Sequence, residues 1–452
     1  MNPLRIRALN TVSAPTEGRH VLYWMQSAQR ADANHALAHA IHQANQLGLP
    51  LMTLFVVGLY PDANARHYHF MLEGLSETFD RLQTLGIDVV LQTGDIEAVV
   101  KPYLDDAASV VFDDAPMPFM RALKTRLARH AEAFGVPVSL VSTNVIVPPD
   151  ALKQQCEYAA RTIRPKLWRR IEDFLDLPDL LPLKKQRTVR PITIDIDAII
   201  KTLNIDASVT KSGPFQGGER AAHVRLNRFL NHRLSRYGHS ADPGKNVTSE
   251  LSPYLHFGQL SPLAVFLAVD EFQDAHRAQV EAFQEQLLVR RELAFNFVQH
   301  CEGFDRFETM THGWAYDTLT AHLDDTREAR YSFEDYRRAA TDDPYFNAAM
   351  QEMIHTGFMH NTMRMYWGKR IIAWSATPQD AYDTIITLNN AYFLDGRDPS
   401  SYAGVAWLFG RHDRAFPPQP VFGKVRSMTS GGLKRKYDMD SYLTRIKKHT
   451  PA

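Results

Sequence analysis

The 452-residue chain carries 51 Lys+Arg and 51 Asp+Glu, so its formal net charge is zero and its pI is near 7.4. That length predicts two or three domains with a large core, and the balanced charge excludes a globally electropositive nucleic-acid binder while leaving room for a local basic face. The most apolar run, 49–60, is too short to cross a bilayer, and Arg5, Arg7, Glu17 and Arg19 occupy the N-terminus without an apolar signal core, so a soluble, cytoplasmic protein with no membrane partner is expected. Cys156 and Cys301 match no metal or disulfide spacing; they are expected to be plain buried thiols in a reducing compartment, and no metal site is expected.

Residues 1–19 read as an N-terminal extension. Over 20–176, β-rich runs alternate with helical patterns: strands at 21–25, 51–57, 87–91, 109–112 and 137–141, with a helix over 31–47 between the first two. This alternation predicts an α/β domain built on a parallel, Rossmann-like sheet. The first strand runs into Gln26-Ser27-Ala28-Gln29-Arg30, which lacks the glycines that cradle a pyrophosphate, so standard dinucleotide binding is excluded. Four prolines between 177 and 218, with the Lys184-Lys185-Gln186-Arg187 patch, mark an interdomain connector. From 219 to 452 helical patterns dominate, at 221–237, 262–272, 278–300, 344–373 and 378–389, which predicts an all-α C-terminal domain.

The stretch 359–374 reads as one helix, on which Trp367 and Trp374 share a face about 10 Å apart along the axis. They form either a core stripe or an electron path. Asn361 and Arg364 precede them, and Leu394-Asp395-Gly396-Arg397-Asp398-Pro399 follows, a grouping suited to a polar aromatic ligand. Thr248, Ser249 and Ser252 stand ahead of an apolar helix, where they serve as N-cap groups or as an anion site. Glu292 and Asn296 share a helix face, and Glu292 alone would pair with a neighbouring arginine. The segments Gly404–Trp407, Gly410–Phe416 and Pro420–Arg426 interleave aromatics with Arg, His and Lys, as loops do that hold an unstacked base and its phosphates. Arg411, Arg414, Lys424 and Arg426 are the expected DNA-binding cations, extended by Lys434-Arg435-Lys436, although a charge triplet is also ordinary solvated surface.

Taken together, these motifs resemble the class II cyclobutane pyrimidine dimer photolyases of the photolyase/cryptochrome superfamily. The resemblance runs over nearly the whole chain, through Trp24-Met25-Gln26, Arg66-His67, Tyr158-Ala159-Ala160-Arg161-Thr162, Leu251 to Gln259, Arg291-Glu292-Leu293, Met363 to Trp367, Leu394 to Pro399 and Pro420 to Lys424. It implies the photolyase/cryptochrome fold: an α/β domain able to hold an antenna pigment of deazaflavin or other type, joined to a helical domain that holds FAD. By similarity, Tyr237, Thr248, Ser249, Leu251, Ser252, Asn361, Arg364, Asn389 and Asp395 would hold FAD. Glu292, Met365, Trp407 and Arg414 would form the catalytic dimer pocket, and Trp367 and Trp374 would carry electrons to the flavin. The implied enzyme is a deoxyribodipyrimidine photo-lyase, a carbon–carbon lyase acting as a monomer on UV-damaged DNA. Its rival is a cryptochrome-type photoreceptor without repair activity, which would need no dimer pocket. The chain departs from the pattern at Asn361, where the family has glycine, and at Phe416 and Phe346, where it has tryptophan. The loop between Trp407 and His412 is also one residue shorter than in the family.

Overall fold

The computed structural model describes residues 1–14, 17–187 and 191–448. Six strands form one sheet in the order β1-β6-β5-β2-β3-β4, with β1 Ile6–Ala8, β2 His20–Trp24, β3 Leu51–Val57, β4 Asp88–Thr93, β5 Ala107–Asp113 and β6 Val138–Val141. All pairs are parallel except β1 with β6. The edge strand β1 lies inside the stretch read as an extension; its three residues carry too little pattern to signal a strand. Every residue of β2, β3 and β5 is buried, as parallel strands are when helices cover both faces.

The crossover helices are α1 His35–Leu47, α2 Ala65–Thr84, α3 Ile96–Asp105 and α4 Pro118–Ala133. The Asn34 side chain caps α1 at its start and Gly48, in the left-handed region, ends it, so the helix begins four residues later than expected. The strand order reverses between β2 and β5, which places a switch-point crevice at their carboxyl ends. The Asp113 carboxylate fills the loop after β2, accepting from the backbone N–H groups of Gln26, Ser27 and Ala28, each at 2.9 Å. This chain therefore satisfies with its own carboxylate the amides that a dinucleotide pyrophosphate would otherwise use.

The helical half holds two clusters of buried apolar residues, and several of its helices differ in extent from the patterns: Glu219–His232 and Pro262–Asp270 end sooner than expected, while Pro378–Tyr392 runs further. The expected 344–373 helix is two, Pro344–Thr356 and Asn361–Trp374, broken at Gly357 (φ 73°). A Cβ there would come within 2.8 Å of Leu394 Cγ as well as straining the backbone. The expected helix 278–300 is present, set off by a kink at His276 (φ −143°, ψ 41°) from the turn that begins at Gln273, and it carries a π-helical turn at Glu285–Arg290 in its middle. Arginines join the two halves. Arg30 donates to Asn144 Oδ1, Gly258 O and Thr143 O, and Arg66 to Thr210 O, Met353 O and Tyr392 O. These satisfied guanidiniums explain why both residues are almost fully buried.

Candidate functional site

Two adjoining cavities of about 280 and 480 Å³ lie in the helical half and share Ser249, Ser252, Asn361, Met365, Ser400 and Gly404. Three elements make the shared wall: the segment before the short helix Ser252–His256, the first turns of Asn361–Trp374, and Pro399–Leu408. Gly368 lets the last two close up, since a Cβ there would meet Leu408 Cδ1 at 2.2 Å.

Of the nine residues expected to hold a cofactor, eight line the smaller cavity: Thr248, Ser249, Leu251, Ser252, Asn361, Arg364, Asn389 and Asp395. Arg364 Nη2 donates to both Asp395 oxygens, at 2.8 and 3.0 Å, and the guanidinium lies 3.9 Å from the Phe393 ring centroid. Ser401 Oγ donates to Asn389 Oδ1, while Asn389 Nδ2 donates to Asn390. The hydroxyls of Thr248, Ser249 and Ser252 and the Asn361 side-chain amide make no protein hydrogen bond among the described residues; the helix Ser252–His256 has no side-chain N-cap, and His360 caps the helix at Asn361. The ninth residue, Tyr237, lines the larger cavity instead, where burial pushes its hydroxyl up to about 12.

The larger cavity has a different character. Trp407 stands on its wall with the Arg290 guanidinium 5.1 Å from the ring, and its indole N–H donates to Asp413 Oδ2 at 3.3 Å. It belongs to the last turn of Pro399–Leu408 rather than to a loop. Met365 faces both cavities, and Arg426 reaches the rim of the larger one. Two residues that the sequence reading missed are here. Gln286, in the π-helical turn, lines the cavity, is exposed, and its amide has no hydrogen-bond partner among the described residues. Lys369 Nζ donates to Leu408 O, and burial pulls its ammonium down to about 7. A residue in a mid-helix π turn is a signal for function that periodicity alone does not reveal.

Three expected site residues lie elsewhere. Glu292 is buried on the opposite face of its helix, where Oε1 accepts from the N–H groups of Ile146 (2.6 Å) and Val147 (3.1 Å), and burial raises its pKa to about 7. It lines neither cavity and forms no ion pair among the described residues, so the pocket role that the resemblance implied for it is not supported, while the shared face with Asn296 is as spacing predicts. Asn296, one turn on, likewise holds Glu157 N and Gln155 O. Arg414 is an exposed side chain 5.4 Å from the Phe416 ring and outside the cavity lining. Arg411, expected on the DNA-facing surface, is 7% exposed, and its Nη2 lies 2.7 Å from Cys156 Sγ and 3.1 Å from Cys301 Sγ. The two cysteines are joined in a disulfide across 145 residues, correcting the expectation of free thiols. Sequence separation carries no information about two segments that only tertiary packing brings together. Lys424 and Arg426 are exposed as expected.

Along the aromatic helix, Trp367 lines the smaller cavity and donates to Met350 Sδ at 2.9 Å. Trp374 lies at the other end, 5.2 Å from Phe346, 4.8 Å from Tyr331 and 6.2 Å from Tyr336 between ring centroids. Tyr366, beside Trp367 on the same helix, donates its hydroxyl to Asp343. A third cavity of about 170 Å³ sits at the switch-point crevice between the two halves, lined by Gln29, Phe55, Tyr60, Met120, Phe257 and Arg397 among others.

Residues 21–185 match the DNA photolyase family. The chain is 40% identical over 451 residues to the deoxyribodipyrimidine photo-lyase of Methanothermobacter thermautotrophicus, covering 98% of each chain. Among solved structures it is similar to a bacterial class III photolyase from Agrobacterium tumefaciens (TM-score 0.75, 21% identity, 97% of this chain and 88% of that one). It is also similar to an archaeal photolyase from Sulfolobus tokodaii, described with two FAD molecules and the implication of a novel light-harvesting cofactor (TM-score 0.71, 16% identity, 95% and 90%). These two share its fold.

Proposed function

Since the chain belongs to the DNA photolyase family, we propose that it is a light-dependent repair enzyme that holds FAD in the smaller cavity and splits cyclobutane pyrimidine dimers in DNA seated in the larger one. The observation that carries this reading is the shared wall: Met365, Asn361 and Gly404 border both cavities, so a cofactor and a flipped-out lesion would meet there without intervening protein. Unpartnered hydroxyls on Thr248, Ser249 and Ser252 fit the diphosphate and ribityl chain of FAD, and the Arg364–Asp395 pair fits the polar edge of a flavin ring.

Reduced FAD, when bound, supplies the light-driven electron that opens the cyclobutane ring. The protein's part is position and electrostatics. Trp407 and Met365 offer the lesion an aromatic and a polarisable surface. Gln286 offers a neutral N–H donor to a pyrimidine carbonyl as negative charge gathers there, and Arg290 and Lys369 bring positive charge to the same cavity. Lys424 and Arg426 engage the phosphates outside. The crevice cavity between the halves suits a planar antenna pigment smaller than FAD.

The test is illumination of purified, reduced protein with an oligonucleotide carrying one cyclobutane dimer, followed by counting lesions. Loss of the lesion in light and not in darkness is expected. A flavin-loaded protein that leaves it intact in light would sink the reading.

A further inference from the structure

The disulfide sits at a junction that repair chemistry does not use. Cys156 is in the segment leaving the α/β half, next to Glu157, whose N–H is held by Asn296 Oδ1. Cys301 ends the helix Arg291–His300, whose earlier residues line the larger cavity. Arg411 bonds to both sulfurs, and the two residues after it, His412 and Asp413, line that cavity; Asp413 accepts from the Trp407 indole. His412 Nδ1 is bonded to Tyr158 O, so the 410–414 loop is clasped to the Cys156 segment at two points.

Two further features set this bridge apart from a purely structural one. Cys156 is exposed and Cys301 half-buried, so a reductant can reach the bond. Arg411 is buried yet has no carboxylate within ion-pair distance among the described residues; its remaining close partner is the Phe297 ring, 5.0 Å away. Burial lowers its pKa below the ordinary 12.5. A buried cation with neutral sulfurs as its partners favours any change that puts an anion beside it.

The other titratable groups nearby do not supply that anion. Burial holds His312 and His412 at about 4, hence neutral, and lowers His300. Glu157 is paired with Lys166, Glu302 and Tyr158 are exposed, and burial raises the Tyr316 hydroxyl above its ordinary value, which keeps it a neutral phenol.

We propose that Cys156–Cys301 is a thiol-exchangeable clasp: a dithiol reductant opens it, Arg411 becomes the ion-pair partner of the thiolate formed, and the state of the clasp sets how firmly the 410–414 loop seats at the larger cavity. The reductant gives two electrons and two protons as it becomes its own disulfide. The S–S bond breaks, and one cysteine keeps its proton while the other releases its proton to solvent, leaving the thiolate beside Arg411. A neighbouring guanidinium lowers a thiol pKa and stabilises the reduced pair, which makes the bond easier to reduce. The last part of the proposal rests on the lesion reading of the cavity; the thiolate part does not.

The experiment uses the full-length protein. Alkylation with mass spectrometry should find both cysteines protected before dithiothreitol and both labelled after it. Ultraviolet absorbance of the reduced protein should show a thiolate titrating below the ordinary value of about 8.5. That value should stay low in Arg411→Lys and return toward ordinary in Arg411→Gln. Affinity for dimer-containing duplex should differ between oxidised and reduced protein by about fivefold, the low end of measured site-to-site couplings, with undamaged duplex unaffected. The Cys156→Ser/Cys301→Ser protein should show the reduced-state affinity without any reductant. Free labelling before reduction, an ordinary thiol pKa, or one indifferent to Arg411→Gln would overturn the thiolate part. Equal lesion affinity in both states would overturn the loop coupling. If neither state prefers damaged DNA, the repair reading fails, and the thiolate result still decides the clasp.

Discussion

The long helix that runs from the kink at His276 to His300 presents two faces that differ in one respect, the satisfaction of their polar groups. Toward the α/β half, Glu292, Asn296 and Arg291 are buried and bonded to backbone atoms of 144–157. Toward the larger cavity, Gln286 keeps an unpartnered amide and Arg290 lies against Trp407. A fully bonded buried group holds the molecule together, and removing it leaves its partners unsatisfied. A group without a partner at a cavity wall is available to a ligand. The carboxylate that looked catalytic is on the first face and the amide that went unnoticed is on the second.

The largest expected effect breaks the bonded face. Glu292→Ala strands two buried N–H groups and should cost about 2–4 kcal/mol of stability, read by denaturant unfolding. Glu292→Gln keeps both bonds through its one carbonyl oxygen and should be close to neutral. It should also change the pH profile. The Glu292 carboxyl is raised from 4.5 to about 7, so the folded state holds a proton that the unfolded state has released. Stability therefore falls as pH rises from about 4.5 to 7 and levels off above, and the Gln variant should flatten that slope. A slope unchanged in Glu292→Gln would argue against the burial account, and loss of lesion repair in the folded variant would return Glu292 to the catalytic site.

On the ligand face, Trp407→Ala should cost about 1–3 kcal/mol of binding to damaged duplex, as loss of base stacking does, with much less change in stability. Equal weakening toward undamaged duplex would argue that the indole holds the wall rather than the lesion.

A comparable effect is expected on the electron path. Phe346, packed against Trp374, is harder to oxidise than an indole, so oxidised protein should photoreduce slowly with an external donor while pre-reduced protein repairs normally. Phe346→Trp should raise the photoreduction rate by about tenfold, equivalent to about 1.4 kcal/mol of barrier, and leave repair by reduced protein unchanged. Prompt photoreduction by the parent, with no gain in the variant, would mean that other aromatics carry the electron. Tyr331 and Tyr336, which the fold stacks around Trp374, are the next to replace.

The smallest effect is electrostatic. Replacing Lys424 and Arg426 with glutamine should reduce the slope of log affinity against log salt by about two units, because each phosphate contact releases counterions. The same pair of changes made at Arg411 and another buried cation should leave the slope alone. A flat salt response in the parent would remove the basic face altogether.

The sequence by itself indicated the parallel sheet and the helical second half, and eight of the nine residues it named for a cofactor line the smaller cavity, for a local reason. Apolar runs of four to seven residues, a hydroxyl cluster before a proline and an Asn361–Arg364 spacing of one helical turn are properties of short segments. Tertiary structure decided the rest. The π turn at Glu285–Arg290 has no signature in residue type; Gln286, within it, lines the larger cavity, and Glu292, after it, binds the amides of Ile146 and Val147. Cys156, Cys301 and Arg411 meet because three segments far apart in the chain pack into one corner, and that proximity has no signature along the sequence. Composition marked Arg411 and Arg414 equally as surface cations; burial, a property of the folded whole, separated them.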